Sequence, residues 1–292
     1  MLKGSAILLM GGDLRQVEVI KKLTQLQASI YLIGFEKFNF DADNVHFSHL
    51  TQIDFNKMDA ILLPVPGVND KGEIESSFSS AEIYLTKEMI EQTNEECVIF
   101  SGIITPFLQQ LQKETNRKLV ALFNRDDVAI FNSIPTAEGA LMLAIQHTAF
   151  TIHKADVMVL GFGRVGMTIA RVFSAIGAKV NVCVRKTSDA ARIIEMGLTP
   201  VFVDSLKETA SSMQIFINTM PFPILTADII STMSKDALII DLASKPGGTD
   251  FAFAKEIGIH TIWALGLPAK VAPKTAGEII GDVLIKLLIS EE

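Results

Sequence analysis

The chain has 292 residues, 49% hydrophobic and 20% charged, which suits two packed cores and excludes intrinsic disorder. A formal net charge of -7 and a pI near 5.3 argue against a nucleic-acid binder, because nothing broadly basic is available to displace counterions. Two cysteines exclude a disulfide scaffold. Cys97 and Cys183 lie in apolar runs and read as buried, inert thiols.

The first apolar run, Ser5–Met10, ends at Gly11-Gly12-Asp13. It is too short for a signal-peptide core or for the ~20 apolar residues of a membrane helix. A cytoplasmic protein without a membrane segment is expected, and the mean hydropathy of +0.35 is assigned to buried parallel strands. Strands are predicted at Ala6–Met10, Ile30–Ile33, Ala60–Leu63, Val98–Phe100 and Leu119–Leu122, with helices at Leu14–Leu26, Lys87–Thr93 and Pro106–Thr115. This alternation predicts an α/β domain with a small, doubly wound, flavodoxin-like parallel sheet over residues 1–133. The polar stretch Asp70–Ser80 reads as a mobile surface loop.

A strongly apolar linker helix, Pro135–Ile152, follows, with Pro135 near its start, where the missing N–H costs nothing. Ser133 or Thr136 would cap it, and both are candidate substrate contacts. Glu138 suits the first turn electrostatically and is also a candidate for proton transfer. The second half offers strands at Val157–Leu160, Lys179–Val184, Thr199–Val203, Ile215–Asn218, Leu238–Asp241 and His260–Trp263. Six strands with intervening helices predict a doubly wound Rossmann domain over residues 153–273. An amphipathic helix begins at Lys274, and the segment 274–292 is expected to return to the N-terminal domain.

The segment Gly161-Phe162-Gly163-Arg164-Val165-Gly166 lies between a predicted strand and a predicted helix. In that context the glycines serve a tight turn, close approach to a pyrophosphate, and close helix–strand packing. The helix N-terminus meets the phosphates. An NAD site usually places a carboxylate after the second strand. Here Arg185, Lys186, Thr187 and Ser188 precede the first carboxylate, Asp189. Arg185 can fork onto a 2′-phosphate, with Lys186 and Ser188 beside it, so NADP is expected over NAD.

Asn218-Thr219-Met220-Pro221 ends the fourth strand and resembles the nicotinamide-side loop of the shikimate and methylenetetrahydrofolate dehydrogenases. Asp241–Gly248 ends the fifth and offers Ser244 and Lys245 at a carboxyl edge, where ligands of open sheets bind. In the first half, Arg15 opens a helix and is a candidate carboxylate clamp; Ser101 and Gly102 are expected to wall the same cleft. The five histidines (His46, His49, His147, His153 and His260) show no metal spacing.

Taken in order, Gly11–Gln16, Asn132–Gly139, Gly161–Gly166, Asn218–Pro221, Asp241–Gly248 and Ala264–Pro273 resemble the dipicolinate synthase A-chain family of spore-forming bacteria. The resemblance implies oxidation of dihydrodipicolinate to pyridine-2,6-dicarboxylate in the mother cell. It also implies a partner, the flavoprotein-like B subunit of dipicolinate synthase, in a homo-oligomer or heteromer. A dicarboxylate needs cations: Arg15 and Lys245 come first, with Arg125 and Arg164 behind them. Glu138 is the candidate proton acceptor. Two alternatives stay open. A 2-hydroxy-acid dehydrogenase would place an Arg after the fifth strand and a His after the sixth, and neither is present. A non-catalytic NADP-binding protein or redox sensor would keep the glycine-rich turn without converging cations.

Overall fold

The computed structural model describes residues 2–289; the expected helix end at 290–292 lies outside them. The chain forms two units, one built from residues up to Ala129 and from Ala272 onward, the other from Ile130–Val271.

Chain order in the first unit is β1 (Ala6–Met10), α1 (Leu14–Gln25), β2 (Ser29–Ile33), β3 (Val45–Phe47), β4 (Ala60–Leu62), β5 (Glu73–Ile74), β6 (Ile83–Tyr84), α2 (Lys87–Glu91), β7 (Val98–Ser101), α3 (Pro106–Thr115) and β8 (Lys118–Ala121). The main sheet runs β3-β2-β1-β4-β7-β8 with every pair parallel. The five predicted strands take the flavodoxin-like order. The sixth, β3, was not predicted: it has three residues at an edge, and only Val45 is buried. Asp70–Ser80 also differs from expectation. It contains β5, paired antiparallel with β6 through the buried Ile74 and Ile83. It is then tied to the β1–α1 turn, since Gly12 N–H donates to Glu75 O (2.9 Å) and Ser77 N–H to Gly12 O (2.7 Å). Two buried isoleucines and these backbone bonds outweigh the segment's polarity.

The central strand β1 exposes nothing at Ile7, Leu8, Leu9 or Met10, each worth about 1.5–3 kcal/mol of burial. Helix α11 (Pro273–Ile289) closes this unit against α1. Gly277 makes the approach possible, because a Cβ there would stand 2.3 Å from Arg15 O.

Helix α4 spans Asp126–His147, and the unit boundary falls inside it. The predicted start at Pro135 is therefore corrected. The acidic pair Asp126 and Asp127 suits the helix N-terminus, and Asp127 Oδ1 accepts from Val128 N–H at 2.9 Å. Pro135 sits inside the helix, at the expense of one main-chain bond. By length and composition α4 is apolar enough to cross a membrane; its Ala137, Ala140 and Ala144 are buried in the core of the second unit.

The second unit continues with β9 (Asp156–Leu160), α5 (Arg164–Ala175), β10 (Lys179–Val184), α6 (Thr187–Glu195), β11 (Thr199–Phe202), α7 (Leu206–Ala210), β12 (Ile215–Asn218), α8 (Ala227–Ile230), β13 (Leu238–Asp241), α9 (Phe251–Glu256), β14 (His260–Trp263) and α10 (Leu267–Val271). Its sheet runs β11-β10-β9-β12-β13-β14, all parallel. Alternate residues feed two cores: Val157, Val159, Ile217 and Ile240 on one face, Met158, Leu160, Phe216 and Ile239 on the other. Burial on both faces explains why these strands read as unbroken apolar runs. The strand order reverses between β9 and β12, which places a crevice at their carboxyl ends.

Candidate nucleotide site

The turn from β9 into α5 is built for an anion. Gly161 has φ +100°, a conformation that strains other residues, and a Cβ there would stand 2.7 Å from Thr219 Oγ1. At Gly166 a Cβ would stand 2.2 Å from Gly161 O, so only glycine lets α5 begin so close to the strand. At Gly163 a Cβ would meet nothing within 4 Å. Gly163 is the N-cap of α5 and supplies no side-chain cap, which leaves first-turn N–H groups for a ligand. A cavity of about 590 Å³ opens here, lined by Gly161–Val165, Cys183–Lys186, Asp189 and Thr219–Phe222. That volume is in the range of small-molecule and cofactor pockets.

Arg164, Arg185 and Lys186, all three expected at the cofactor site, line the cavity. Ser188 does not; it is exposed in the first turn of α6, while Asp189, one residue on, faces the cavity. Arg185 stacks on Phe222, with Cζ 4.4 Å from the ring centroid. Burial pushes the Cys183 thiol up to about 12, with the Arg185 charge pulling weakly against it. Cys183 is therefore a packing residue, as is Cys97, which burial raises to about 11.

Thr219 and Pro221 line the cavity, and Thr219 Oγ1 donates to Leu160 O at 2.8 Å. Asn218 does not contact it and is corrected to a loop-holding residue. It is fully buried, donates to Met220 O and Asp241 Oδ1 (3.0 Å each), and accepts from Met220 N–H. Asp241, equally buried, also accepts from Ala243 N–H, Gly248 N–H and Thr249 Oγ1. This carboxylate shapes the turn on which Ser244 and Lys245 stand exposed, outside the residues lining the cavity.

Several predicted substrate contacts are turned inward. Ser133 is fully buried, donating to Ile130 O and paired with Thr168 Oγ1, both at 2.6 Å. Thr136 bonds to Asn132 O one turn back. Neither caps α4, because the helix starts upstream of both. Ser101 is fully buried and donates to Ile103 O at 2.7 Å. Gly102 packs on Val65, where a Cβ would stand 2.4 Å from the Val65 carbonyl oxygen. Arg15 is 6% exposed and forks onto Asp13 through Nε and Nη2, so much of its charge is already answered within its own turn. Glu138 stays exposed, without a hydrogen bond among the described residues. Among the described residues, no three His, Cys, Asp or Glu side chains gather as a metal site.

Sequence reasoning missed Phe222 and Asp189 as cavity residues. A second cavity, about 410 Å³, opens at the carboxyl ends of β1 and β4, lined by Gly12, Asp13, Pro64, Pro66 and residues 73–77 and 79–82; the strand-ending prolines are where the sequence leads one to expect a cleft wall.

A family model for the N-terminal domain of the dipicolinate synthase A chain matches residues 6–123. One for the NAD-binding domain of D-isomer specific 2-hydroxyacid dehydrogenases matches residues 137–245. The chain is 49% identical to the dipicolinate synthase A chain of Bacillus subtilis (strain 168), over 99% of this chain and 97% of that one. It belongs to the dipicolinate synthase A-chain family. Crystal structures from that family agree: the one from Bacillus halodurans has a TM-score of 0.98 at 49% identity and covers 99% of both chains. The one from Bacillus subtilis has a TM-score of 0.95 at 49% identity, covering 99% of this chain and 97% of that one. The cradle at 161–166 thus lies in a dehydrogenase-type NAD-binding domain. After the sixth strand, where a 2-hydroxy-acid dehydrogenase would carry its His, this chain has Ala264 and Leu265.

Proposed function

We propose that this chain oxidises dihydrodipicolinate to dipicolinate with NADP⁺ as acceptor, working with a dipicolinate synthase B subunit in the cytoplasm of the mother cell. The observation that carries the reading is the uncapped start of α5 above a cavity whose far wall is Arg185 and Lys186. The fit is specific, since Gly161 and Gly166 leave no room for a Cβ while Gly163 faces open space. Bound there, the nicotinamide supplies a hydride acceptor. Oxidation of the dihydropyridine would give up a hydride and a proton together, and the aromaticity gained would favour the reaction.

The remaining work falls to the chain's own groups. The α5 amides would hold the pyrophosphate and Arg185 would take the 2′-phosphate. Thr219 and Pro221 shape the nicotinamide side. Lys245 is assigned to a substrate carboxylate and Glu138 to the leaving proton; both are exposed. Arg15, paired with Asp13, is no longer a first choice.

Fluorescence titration with NADPH and NADH tests the cofactor; a tighter NADPH complex is expected. Following dihydrodipicolinate oxidation with the chain alone and with the B subunit tests the reaction. If NADPH binds but neither sample reduces NADP⁺, the chain is a nucleotide-binding protein without catalytic activity instead.

A further inference from the structure

The guanidinium of Arg185 lies 4.4 Å above the ring of Phe222, which joins the loop after β10 to the loop after β12 over the same cavity. Among the described residues Arg185 forms no hydrogen bond or ion pair; Asp189 lines the cavity but does not pair with it. None of its N–H donors is therefore taken by an acceptor among the described residues, while its Cζ stands over the Phe222 ring. The stack does not plug the site, because the cavity keeps about 590 Å³ with the two side chains in contact. An arginine carries several rotatable bonds, and confining it before the ligand arrives removes part of the ordering cost of binding.

We propose that Phe222 is a positioning residue for coenzyme choice: it holds Arg185 face-on so that the guanidinium edge meets the 2′-phosphate, and thereby sets the preference for NADPH over NADH. This rests on the NADP reading given above. A guanidinium carries its donors in its plane, so a parallel arrangement over an aromatic ring leaves them for an anion and one group can serve both at once. A phosphate-free ribose offers that edge no anion. The effect of Phe222 therefore falls on NADPH alone.

The test is titration of the full chain with NADPH and NADH by fluorescence, for wild type, Phe222→Leu, Phe222→Tyr, Arg185→Ala and Arg185→Ala with Phe222→Leu. Leucine keeps the apolar bulk and removes the π face. Phe222→Leu should weaken NADPH by about two- to fivefold and leave NADH unchanged, and Phe222→Tyr should restore the NADPH value. In the Arg185→Ala background the leucine change should have no further effect. Equal losses for both coenzymes, or the same loss without Arg185, would reduce Phe222 to a packing residue and overturn the proposal. Tighter NADPH binding in Phe222→Leu would make the stack an obstruction, which also overturns it. Failure of the NADP reading looks different: wild type would then show no preference for NADPH at all.

Discussion

Replacing Asp241 should loosen the turn that carries Lys245 and cost the second unit a measurable part of its stability. The carboxylate is fully buried and accepts four hydrogen bonds, from Asn218 Nδ2 (3.0 Å), Ala243 N (2.9 Å), Gly248 N (2.9 Å) and Thr249 Oγ1 (2.7 Å). In Asp241→Ala three N–H donors lose their acceptor, while the threonine hydroxyl can rotate away. At about 1–3 kcal/mol for each stranded group, less some relaxation, the loss is about 4 kcal/mol. Asp241→Asn keeps one acceptor oxygen. Its amide nitrogen, set at the Oδ2 position, can donate to Thr249 but opposes Gly248 N–H, for a loss of about 2 kcal/mol. At roughly 2–4 °C per kcal/mol, calorimetry should show Tm falling by about 4–8 °C for Asn and about twice that for Ala. An Asp241→Asn protein melting within about 1 °C of wild type would refute the assignment of the turn to this carboxylate.

Gly166→Ala forces a Cβ to 2.2 Å from Gly161 O, so the β9–α5 turn must shift; NADPH titration should show binding lost even where circular dichroism shows the fold retained. Ser133→Ala removes a buried hydroxyl bonded to Ile130 O and Thr168, and Thr168 keeps its bond to Arg164 O. It should cost about 1 kcal/mol in urea unfolding and leave the KM for substrate unchanged; a raised KM alone would return Ser133 to the substrate site. Burial raises the Asp13 carboxyl, but the hydrogen bonds and charge of Arg15 together outweigh it, and the net position is below the ordinary value. Its stabilisation is then present above the unfolded value, near pH 4, and is lost as pH falls through the folded one. Asp13→Asn should flatten the acid limb of stability as pH falls below about 4; identical limbs would count against the pairing.

How far the sequence carried can be argued from particular residues. The cofactor cradle was legible because its requirement is covalent: no side chain fits at Gly161 or Gly166, and the strand and helix on either side announce themselves by periodicity. The strands of both sheets were legible because burial on two faces writes unbroken apolar runs. What stayed hidden depends on partners distant in sequence. Ser133 and Thr136 looked like caps because Pro135 looked like a helix start, yet the acidic pair Asp126 and Asp127 begins the helix more than two turns upstream. Nothing local shows that Asn218 and Asp241 bond across neighbouring strands. Phe222 gains its meaning only when the loop after β12 meets Arg185.

The two units carry related sheets, and the start of one helix in each decides which can take a dinucleotide. In the first unit β1 also ends in a glycine turn, but Asp13 caps α1 and Gln16 completes a reciprocal cap: Asp13 accepts from Arg15 N–H, and Gln16 Oε1 accepts from Asp13 N–H at 2.9 Å. The Gln16 side chain also fills the space beside Gly12, where a Cβ would stand 2.5 Å from it. That helix start is capped from within by a carboxylate that already holds Arg15, so a pyrophosphate would meet the Asp13 oxygens where α5 offers free amides. In the second unit the corresponding cap is Gly163, with nothing beside it. The difference can be transplanted. Gly163 has φ -83° and open space at its Cβ position, so Gly163→Asp fits without strain and supplies a better N-cap than glycine. The variant should melt at or slightly above the wild-type temperature while losing NADPH affinity on the order of 100-fold, because the new carboxylate takes the free amides and repels the phosphates. A variant that still bound NADPH within about threefold of wild type would mean that the pyrophosphate rests somewhere other than the start of α5.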